Sequence, residues 1–207
     1  MLRGSASWPV TLTAIDGFAS RLVLRPLQRA DQVDWTRLRA DNAEWVGPWE
    51  PTSPDGGSPQ VPFRQYVRSL DRDSREGRSL PFVVELDGVL VGQVHLFGIV
   101  RGSLLSAAAG YWVAERVAGH GVATRALALA CDHAFGPVGL HRVEVNIRPE
   151  NERSLAVVRH LGFRDEGLRA RYLHIGGDWR DHRTFALLRE DVTEDSVVNR
   201  WTRAPSG

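Results

Sequence analysis

The sequence contains no lysine, and all 26 basic residues among its 207 are arginines. This absence excludes chemistry that needs a lysine amine, such as Schiff-base catalysis or the lysine of a Walker loop. The single cysteine, Cys131, excludes an internal disulfide and any site built from several cysteines. A formal net charge of +1 gives no general reason to expect nucleic-acid binding.

Long hydrophobic runs are also missing. No stretch approaches the roughly 18 apolar residues of a membrane span, and residues 1–9 lack the apolar core of a signal peptide. We therefore expect a cytoplasmic protein that binds neither membranes nor nucleic acid. The length suits one globular domain, which we place at residues 21–190, between an N-terminal extension (1–20) and a C-terminal tail (191–207).

The first part of the chain predicts a strand, two helices and a loop. Residues 21–27 alternate like a short strand that stops at Pro26. A helix is predicted from about Asp31, with apolar positions at Val33, Trp35 and Leu38. Residues 47–62 are rich in proline and glycine, which is typical of a surface loop, with a domain linker as the alternative. A second helix is predicted over 63–76.

The remainder predicts more strands and one crossover. Two β-rich runs around Asp87-Gly88 indicate a hairpin over 81–97. The later elements follow in the order strand 106–113, helix 121–135, strand 142–147, helix 152–161, and strands near 166–174 and 179–189. The fold class is therefore α/β (α+β), with an antiparallel hairpin and one strand–helix–strand crossover.

The segment from Ala109 to Thr124 is the most informative. A strand ends near Val113, and Arg116-x-x-Gly119-x-Gly121 then opens a helix. Glycines let the backbone turn its N–H groups toward an anion, and a helix N-terminus adds positive potential, so the loop suits a pyrophosphate. A lone Gly-x-Gly also makes ordinary turns. Here, however, Asn151-x-x-Ser154 follows 30 residues after Gly121, and Leu161-Gly162-Phe163 comes next.

Together these motifs resemble the GNAT superfamily of acetyl-CoA-dependent N-acetyltransferases, over roughly residues 20–190. The resemblance rests on Arg116, Gly119, Gly121, Ala123, Thr124, Arg148-Pro-Glu-Asn151, Ser154, Gly162-Phe163 and Glu166-Gly167. Leu22-Val-Leu-Arg25-Pro26-Leu27 and Glu166-Gly167-Leu168-Arg169 are similar to the RimJ/RimL branch, which acetylates protein N-termini. The resemblance implies the GNAT fold: a mixed, mostly antiparallel central sheet with a splayed strand pair, flanked by helices.

The resemblance also implies acetyl-CoA as cosubstrate, without a metal. Backbone N–H groups of the loop would meet the CoA pyrophosphate, namely those of Gly119, His120, Gly121, Val122, Ala123 and Thr124. Arginines would assist them, such as Arg116, Arg125 and Arg153. Trp112 and Val113 would pair with the pantetheine arm, and a backbone N–H there would polarise the thioester carbonyl. Asn151 would hold the pantetheine amide, and Ser154 would protonate the departing thiolate.

Several residues are alternative proton carriers. Glu144, on the strand before Asn151, is a candidate base, but other GNAT branches place the base two positions later, where this chain has Asn146. Tyr172 and His174, on a late strand, are the alternative acid and base, unless they only pack on the strand face. The other histidines lack metal-ligand spacing and are expected to be structural or surface residues: His95, His133, His141, His160 and His182.

The acceptor side is predicted from aromatic and acidic residues. Trp45 and Trp49 are candidates to line the cleft, and Glu50 and Asp178 could attract a cationic amine. The expected reaction is direct acetyl transfer to the α-amino group of a protein or peptide N-terminus, such as a ribosomal-protein alanine. Two alternatives stay open, as does a homodimer: an acetyltransferase for a small amine (aminoglycoside, polyamine or amino-acid derivative), and a non-catalytic acetyl-CoA-binding regulatory module.

Overall fold

A computed structural model describes residues 8–14, 20–56, 61–192 and 196–199. The strands in these ranges are β1 (Leu12–Ala14), β2 (Leu22–Pro26), β3 (Leu80–Leu86), β4 (Val89–Val100), β5 (Ser106–Val113), β6 (Arg142–Ile147), β7 (Arg164–Ile175) and β8 (Asp178–Leu188). The α-helices are α1 (Gln32–Asp41), α2 (Ala43–Val46), α3 (Phe63–Arg75), α4 (Val122–Phe135) and α5 (Glu152–His160).

All these strands lie in one sheet, in the order β1-β2-β3-β4-β5-β6-β8-β7. Neighbouring strands are antiparallel except β5 and β6, which are parallel. The parallel pairing joins only Ser106–Ala108 to Arg142–Glu144. Beyond it, residues 109–113 and 145–147 are unpaired with each other, and we call the space between them the split. The expected mixed, mostly antiparallel sheet with a splayed pair is confirmed.

The predicted elements agree with the structure to within a few residues at most ends. The sequence pattern missed β1 and α2, which have three and four residues and are too short to show a period. The three apolar positions named on α1 do not share one face, because Val33 is 69% exposed whereas Trp35 and Leu38 are buried. Residues two positions apart in a helix are rotated by about 200° around its axis, so Val33 points away from the face that carries Trp35.

The sheet has a helix layer on each face. On one face, which we call the α4 face, α4 and α5 pack on a large apolar core that includes Val143, Val145 and Ile147 of β6. On the opposite face, the α1 face, α1 and α3 cover a smaller core around Trp35 and Val83. Because side chains alternate along a strand, Arg142, Glu144 and Asn146 of β6 lie on the α1 face.

Segments outside residues 21–190 pack against this sheet. β1 pairs with β2, and the ring of Trp8 lies 5.5 Å from that of Phe82. Near the other end, Val197 is fully buried and its N–H donates to Asp132 Oδ1 of α4 at 2.7 Å. The division at residues 20 and 190 stays a prediction, and these contacts join residues on both sides of each boundary.

Other expectations concern membrane spans, metals and the cysteine. None of the described helices has the length and apolarity needed to cross a bilayer. Within the described ranges, no group of three or more His, Cys, Asp or Glu residues could hold a metal ion. Cys131 is fully buried in α4, as a core residue.

Candidate active site

The main chain at the end of β5 faces the split. The N–H of Ala114 donates to the Val91 carbonyl of β4 at 2.7 Å. Because backbone groups alternate in direction along a strand, the main chain of Trp112 also faces β4, and that of Val113 faces the split. Of the two residues predicted to pair with pantetheine, Val113 is therefore the one that offers an N–H and a C=O there.

Gly92 of β4 allows the close approach of the two strands at this point. A Cβ on Gly92 would overlap the carbonyl oxygen of Trp112. In the sequence, Gly92 is only a glycine inside a strand. Such a glycine suggests that another backbone lies close, but the sequence does not identify that backbone.

The glycine loop leads into α4 with its backbone donors unpaired by the helix. Gly119 and Gly121 have φ values of +78° and +74°, in the left-handed region that favours glycine. The first intrahelical bond runs from the Arg125 N–H to the Gly121 carbonyl, so the N–H groups of Val122, Ala123 and Thr124 precede it and have no partner within the helix. A loop with this geometry fits a phosphate group.

Side chains around the loop are placed differently from the motif expectation. The Arg116 guanidinium donates to the Leu90 carbonyl at 3.2 Å, and His120 is exposed with Nδ1 2.9 Å from the Ala118 carbonyl. Arg125 is 3% exposed and donates to the Ser20 carbonyl. Because Arg125 is turned into the protein, we no longer assign it to a phosphate. The structure leaves the loop's own N–H groups as its main anion donors.

The start of α5 closes the other side of the split. The Asn151 side chain caps the helix, with Oδ1 accepting from the Ser154 N–H at 3.1 Å. Across the split, the Tyr111 hydroxyl of β5 donates to the Ser154 carbonyl at 3.2 Å. Burial raises the pKa of Tyr111, which keeps the phenol protonated as a donor. No sequence motif pointed to Tyr111, whose only signal was its place beside Trp112 at the end of β5.

Comparison with known proteins agrees with this arrangement. Residues 21–164 match the family model described as acetyltransferase (GNAT) domain. The chain belongs to the GNAT acetyltransferase family.

Similar proteins place this acetyltransferase near the RimJ/RimL branch. The structure of Mycobacterium smegmatis RimJ in complex with CoA-disulfide is 39% identical, with a TM-score of 0.85, and the match covers 94% of each chain. The Escherichia coli [ribosomal protein uS5]-alanine N-acetyltransferase is 28% identical over 84% of this chain and 90% of its own. The Escherichia coli spermidine N(1)-acetyltransferase is 30% identical over 79% of this chain and 83% of its own.

Trp45 and Trp49 lie on an arm formed by α2 and the following residues up to Thr52. The Trp45 Nε1 donates to the Val113 carbonyl at 3.0 Å, and the Arg153 guanidinium lies 4.4 Å above the Trp45 ring. The Arg148 guanidinium lies 5.3 Å above the Trp49 ring. The structure therefore brings Trp45 to the split and Trp49 to the end of β6.

The two acidic residues predicted to attract an amine already have partners. Glu50 receives two hydrogen bonds from Arg39, each of 2.6 Å. Asp178 is exposed at the β7–β8 turn, where it accepts from the Trp179 N–H at 2.8 Å and lies 3.5 Å from the Arg180 guanidinium. Glu50 thus has little capacity left for a ligand ammonium.

Glu144 is tied to two arginines on the α1 face. Its Oε1 accepts from Arg142 Nε at 2.7 Å, and its Oε2 lies 3.5 Å from Arg169. Arg142 also pairs with Glu166, and this guanidinium holds the pKa of Glu166 below its usual range. Both carboxylate oxygens thus already have guanidinium partners and are not free to receive a substrate amine, so the geometry argues against the Glu144 base.

His174 and Thr52 join the arm to β7. The His174 Nδ1 lies 2.8 Å from the Thr52 hydroxyl, and the Thr52 N–H donates to the His174 carbonyl at 2.8 Å. Arg148, at the end of β6, donates to the Pro48 carbonyl at 2.9 Å. Because β8 lies between β6 and β7, residues 48–52 cross above β8, and we call them the roof.

Tyr172 lies next to His182, which was expected to be a structural or surface residue. The two rings meet edge to face with centroids 5.7 Å apart, and the Arg169 guanidinium lies 4.9 Å above the Tyr172 ring. His182 is 3% exposed and shares its face of β8 with Thr184, whose hydroxyl donates to Asn146 Oδ1 at 2.7 Å. The structure thus joins Tyr172 and Asn146 to a polar group under the roof that the sequence did not reveal.

Proposed function

We propose that this acetyltransferase modifies the α-amino group of a protein or peptide N-terminus. The observation that carries the proposal is the pairing of the cleft carboxylates with arginine, Glu50 with Arg39 and Glu144 with Arg142 and Arg169. A polyamine carries several ammonium groups and needs free carboxylates to bind them. An N-terminal amine is a single ionisable group, with a pKa near 8. Once it is neutral, it needs no carboxylate to bind it.

On this proposal, acetyl-CoA binds across the loop and the split. The N–H groups of residues 119–124 hold the pyrophosphate, and the pantetheine arm lies along the main chain of Val113. Asn151 donates its amide NH₂ to the pantetheine, because its Oδ1 is used as the helix cap. Of the arginines expected to assist, Arg153 lies over the ring of Trp45, which is bonded to Val113, whereas Arg116 is turned toward Leu90.

The chemistry follows from a few groups. Acetyl-CoA supplies an activated acetyl group as a thioester. The Val113 N–H polarises the thioester carbonyl, as a donor aimed at the oxygen where negative charge develops. The Ser154 hydroxyl, at the first turn of α5, gives a proton to the leaving sulfur. Positioning of the amine against the carbonyl supplies about 7–11 kcal/mol of the barrier reduction in well-oriented reactions.

The similarity to a spermidine acetyltransferase favours a small amine as the second candidate acceptor. A panel of three acceptors distinguishes the candidate functions. It contains a peptide with N-terminal alanine and an internal lysine, the same peptide with its N-terminus acetylated, and spermidine. We expect thiol release with the free peptide alone, and mass spectrometry should place one acetyl group on its N-terminus. Turnover with spermidine alone supports the small amine, and CoA binding without turnover supports the regulatory module.

A further inference from the structure

One polar atom on this face of β8, Arg180 Nε, is buried without a hydrogen-bond partner among the described residues. Nearby, His182 is 3% exposed and makes its hydrogen bond through Nδ1. Both residues lie on the face of β8 that carries Thr184. Buried polar groups are normally hydrogen-bonded, so an unpaired guanidinium nitrogen beside His182 suggests that a polar ligand or water meets it.

The hydrogen bond on the other ring nitrogen defines the chemistry of His182. Its Nδ1 lies 3.0 Å from the Arg180 carbonyl oxygen. A carbonyl can only accept, so Nδ1 carries the proton. In the neutral ring, Nε2 then has a free lone pair, which is the form a proton acceptor needs.

The position of His182 is on the acceptor side of the sheet. It lies opposite Arg169 in the β7–β8 ladder, and its neighbour Arg183 pairs with Ile147 at the end of β6. The roof is fixed to β6 through Arg148 and to β7 through His174, so it passes over the strand that carries His182.

The position that carries the base in other GNAT branches is Asn146 here, and an amide cannot accept a proton near neutral pH. Glu144 is occupied by arginines, and His174 lies at the outer end of the β7–β8 hairpin, with its ring against the half-exposed Trp179. On the proposed function, we infer that His182 Nε2 is the proton acceptor for the acceptor amine, reached through a water molecule beneath the roof.

The proton balance of the step is as follows. The acceptor ammonium loses one proton, through water, to Nε2, and the neutral amine nitrogen forms a bond with the thioester carbon. As the carbon–sulfur bond breaks, the nitrogen loses a second proton, and the sulfur gains one from the Ser154 hydroxyl. The second proton replaces the one on Ser154, and the imidazolium returns its own to solvent.

The surroundings keep the imidazole neutral. Burial lowers the pKa of His182 below its usual value of 6.5, and Arg148 lowers it further, whereas the Arg180 carbonyl, Glu150 and Asp181 oppose this. Of the other charged or titratable groups, Tyr172 of β7 meets the ring edge to face with Arg169 above the Tyr172 ring, Arg180 lies on the same face of β8, and Glu50 of the roof is paired with Arg39.

The variant His182→Asn tests the inference, because asparagine can keep the donor to the Arg180 carbonyl and has no basic nitrogen. With the N-terminal alanine peptide we expect kcat near pH 7 to fall about tenfold, because only about a tenth of an amine with pKa near 8 is neutral at that pH. The loss should shrink to less than about fivefold at pH 9.5, where an amine with pKa near 8 is already neutral. Calorimetry should give an unchanged acetyl-CoA Kd, and the matched surface variant His141→Asn should behave like the wild type.

A kcat equal to the wild type at every pH, or a loss of equal size at every pH, would overturn the inference. A loss of equal size at every pH, together with weaker acetyl-CoA binding, would show that His182 has a structural role. An NMR titration of the wild-type ring is an independent readout, and a ring pKa above 6.5 also contradicts the inference. Failure of the proposed function is separate, because it would appear as a wild-type enzyme that does not acetylate the peptide at all.

Discussion

The indole N–H of Trp45 donates to the carbonyl oxygen of Val113 at 3.0 Å, on the side of β5 that faces the split. A second bond holds the arm to the same place, because the Glu115 N–H donates to Asn42 Oδ1 at 2.9 Å. The arm that roofs the acceptor side is therefore bonded directly to the main chain on which the proposed pantetheine path runs. Cosubstrate binding and arm position are coupled through one carbonyl group.

The first prediction concerns this carbonyl. Trp45→Phe keeps an aromatic ring beneath Arg153 and removes the N–H that competes for the Val113 oxygen. A typical net hydrogen bond is worth about 0.5–1.5 kcal/mol, so we expect acetyl-CoA to bind roughly 2- to 10-fold more tightly in calorimetry. Trp49→Phe, on the same arm but against Arg148, is the control and should leave the affinity unchanged. Weaker binding by Trp45→Phe would show that the indole supports the cosubstrate and does not compete with it.

The second prediction tests the glycine loop. Valine at Gly121 must adopt a left-handed conformation, which costs about 1–2 kcal/mol, and its side chain would stand at the start of α4. We expect Gly121→Val to weaken acetyl-CoA binding by at least about tenfold. Gly77→Val is the matched control, because Gly77 has a similar φ of +71° at the end of α3. It should lower the melting temperature comparably and bind acetyl-CoA normally, and a similar loss of affinity in both variants would refute the loop assignment.

Most of the fold could be predicted from the sequence, because long periodic segments and glycine motifs are local signals. The strand 106–113 and the strand 142–147 match β5 and β6 to the residue. The chemistry under the roof could not be predicted, because it depends on how β7 pairs with β8. That ladder has two register shifts, between Asp165 and Leu168 and between Arg169 and Leu173.

The arginine partners of Glu50 and Glu144 also could not be predicted from the sequence. Glu50 reads as a free loop carboxylate, but its partner Arg39 lies 11 residues earlier on α1. Glu144 reads as a candidate base until the fold places Arg169 beside it, 25 residues later in the chain. Pairs at such separations form only after the elements have packed, so no local pattern reports them.

The third prediction concerns the proton donor. The Ser154 N–H and carbonyl are hydrogen-bonded to Asn151 and Tyr111, and both of these backbone bonds remain when the hydroxyl is removed. Ser154→Ala should therefore leave α5 in place and lower kcat about 10- to 100-fold, at or just below the usual range for general acid catalysis, with acetyl-CoA affinity within about twofold. Ser69→Ala on α3, which removes a hydroxyl bonded to the Tyr66 carbonyl, should not alter kcat. An unchanged kcat in Ser154→Ala would assign the proton to another donor.

The fourth prediction is a pH dependence of stability that originates on the α3 side of the sheet. His95 Nε2 is buried and has no hydrogen-bond partner in the part of the chain that the structure describes, and burial lowers the pKa of His95 to about 4 from its usual 6.5, against an opposing effect of Asp73. The unfolded chain therefore binds a proton between pH 6.5 and 4 that the folded protein does not. The stability held by neutral His95 is fully present above pH 6.5 and is lost as pH falls through this window.

The difference of pKa corresponds to about 3 kcal/mol at most, at 1.36 kcal/mol per pKa unit. His95→Phe keeps a ring beside Phe97, which meets His95 edge to face at 5.6 Å, and removes the titration. The free energy of unfolding, measured by urea titration at pH 7.0, 5.5 and 4.5, should fall less steeply with acidification in this variant than in the wild type. His160→Phe, at an exposed position on α5, should retain the wild-type slope. Parallel slopes for His95→Phe and the wild type would mean that another group, with His133 and its lowered pKa as the first to test, controls the acid sensitivity.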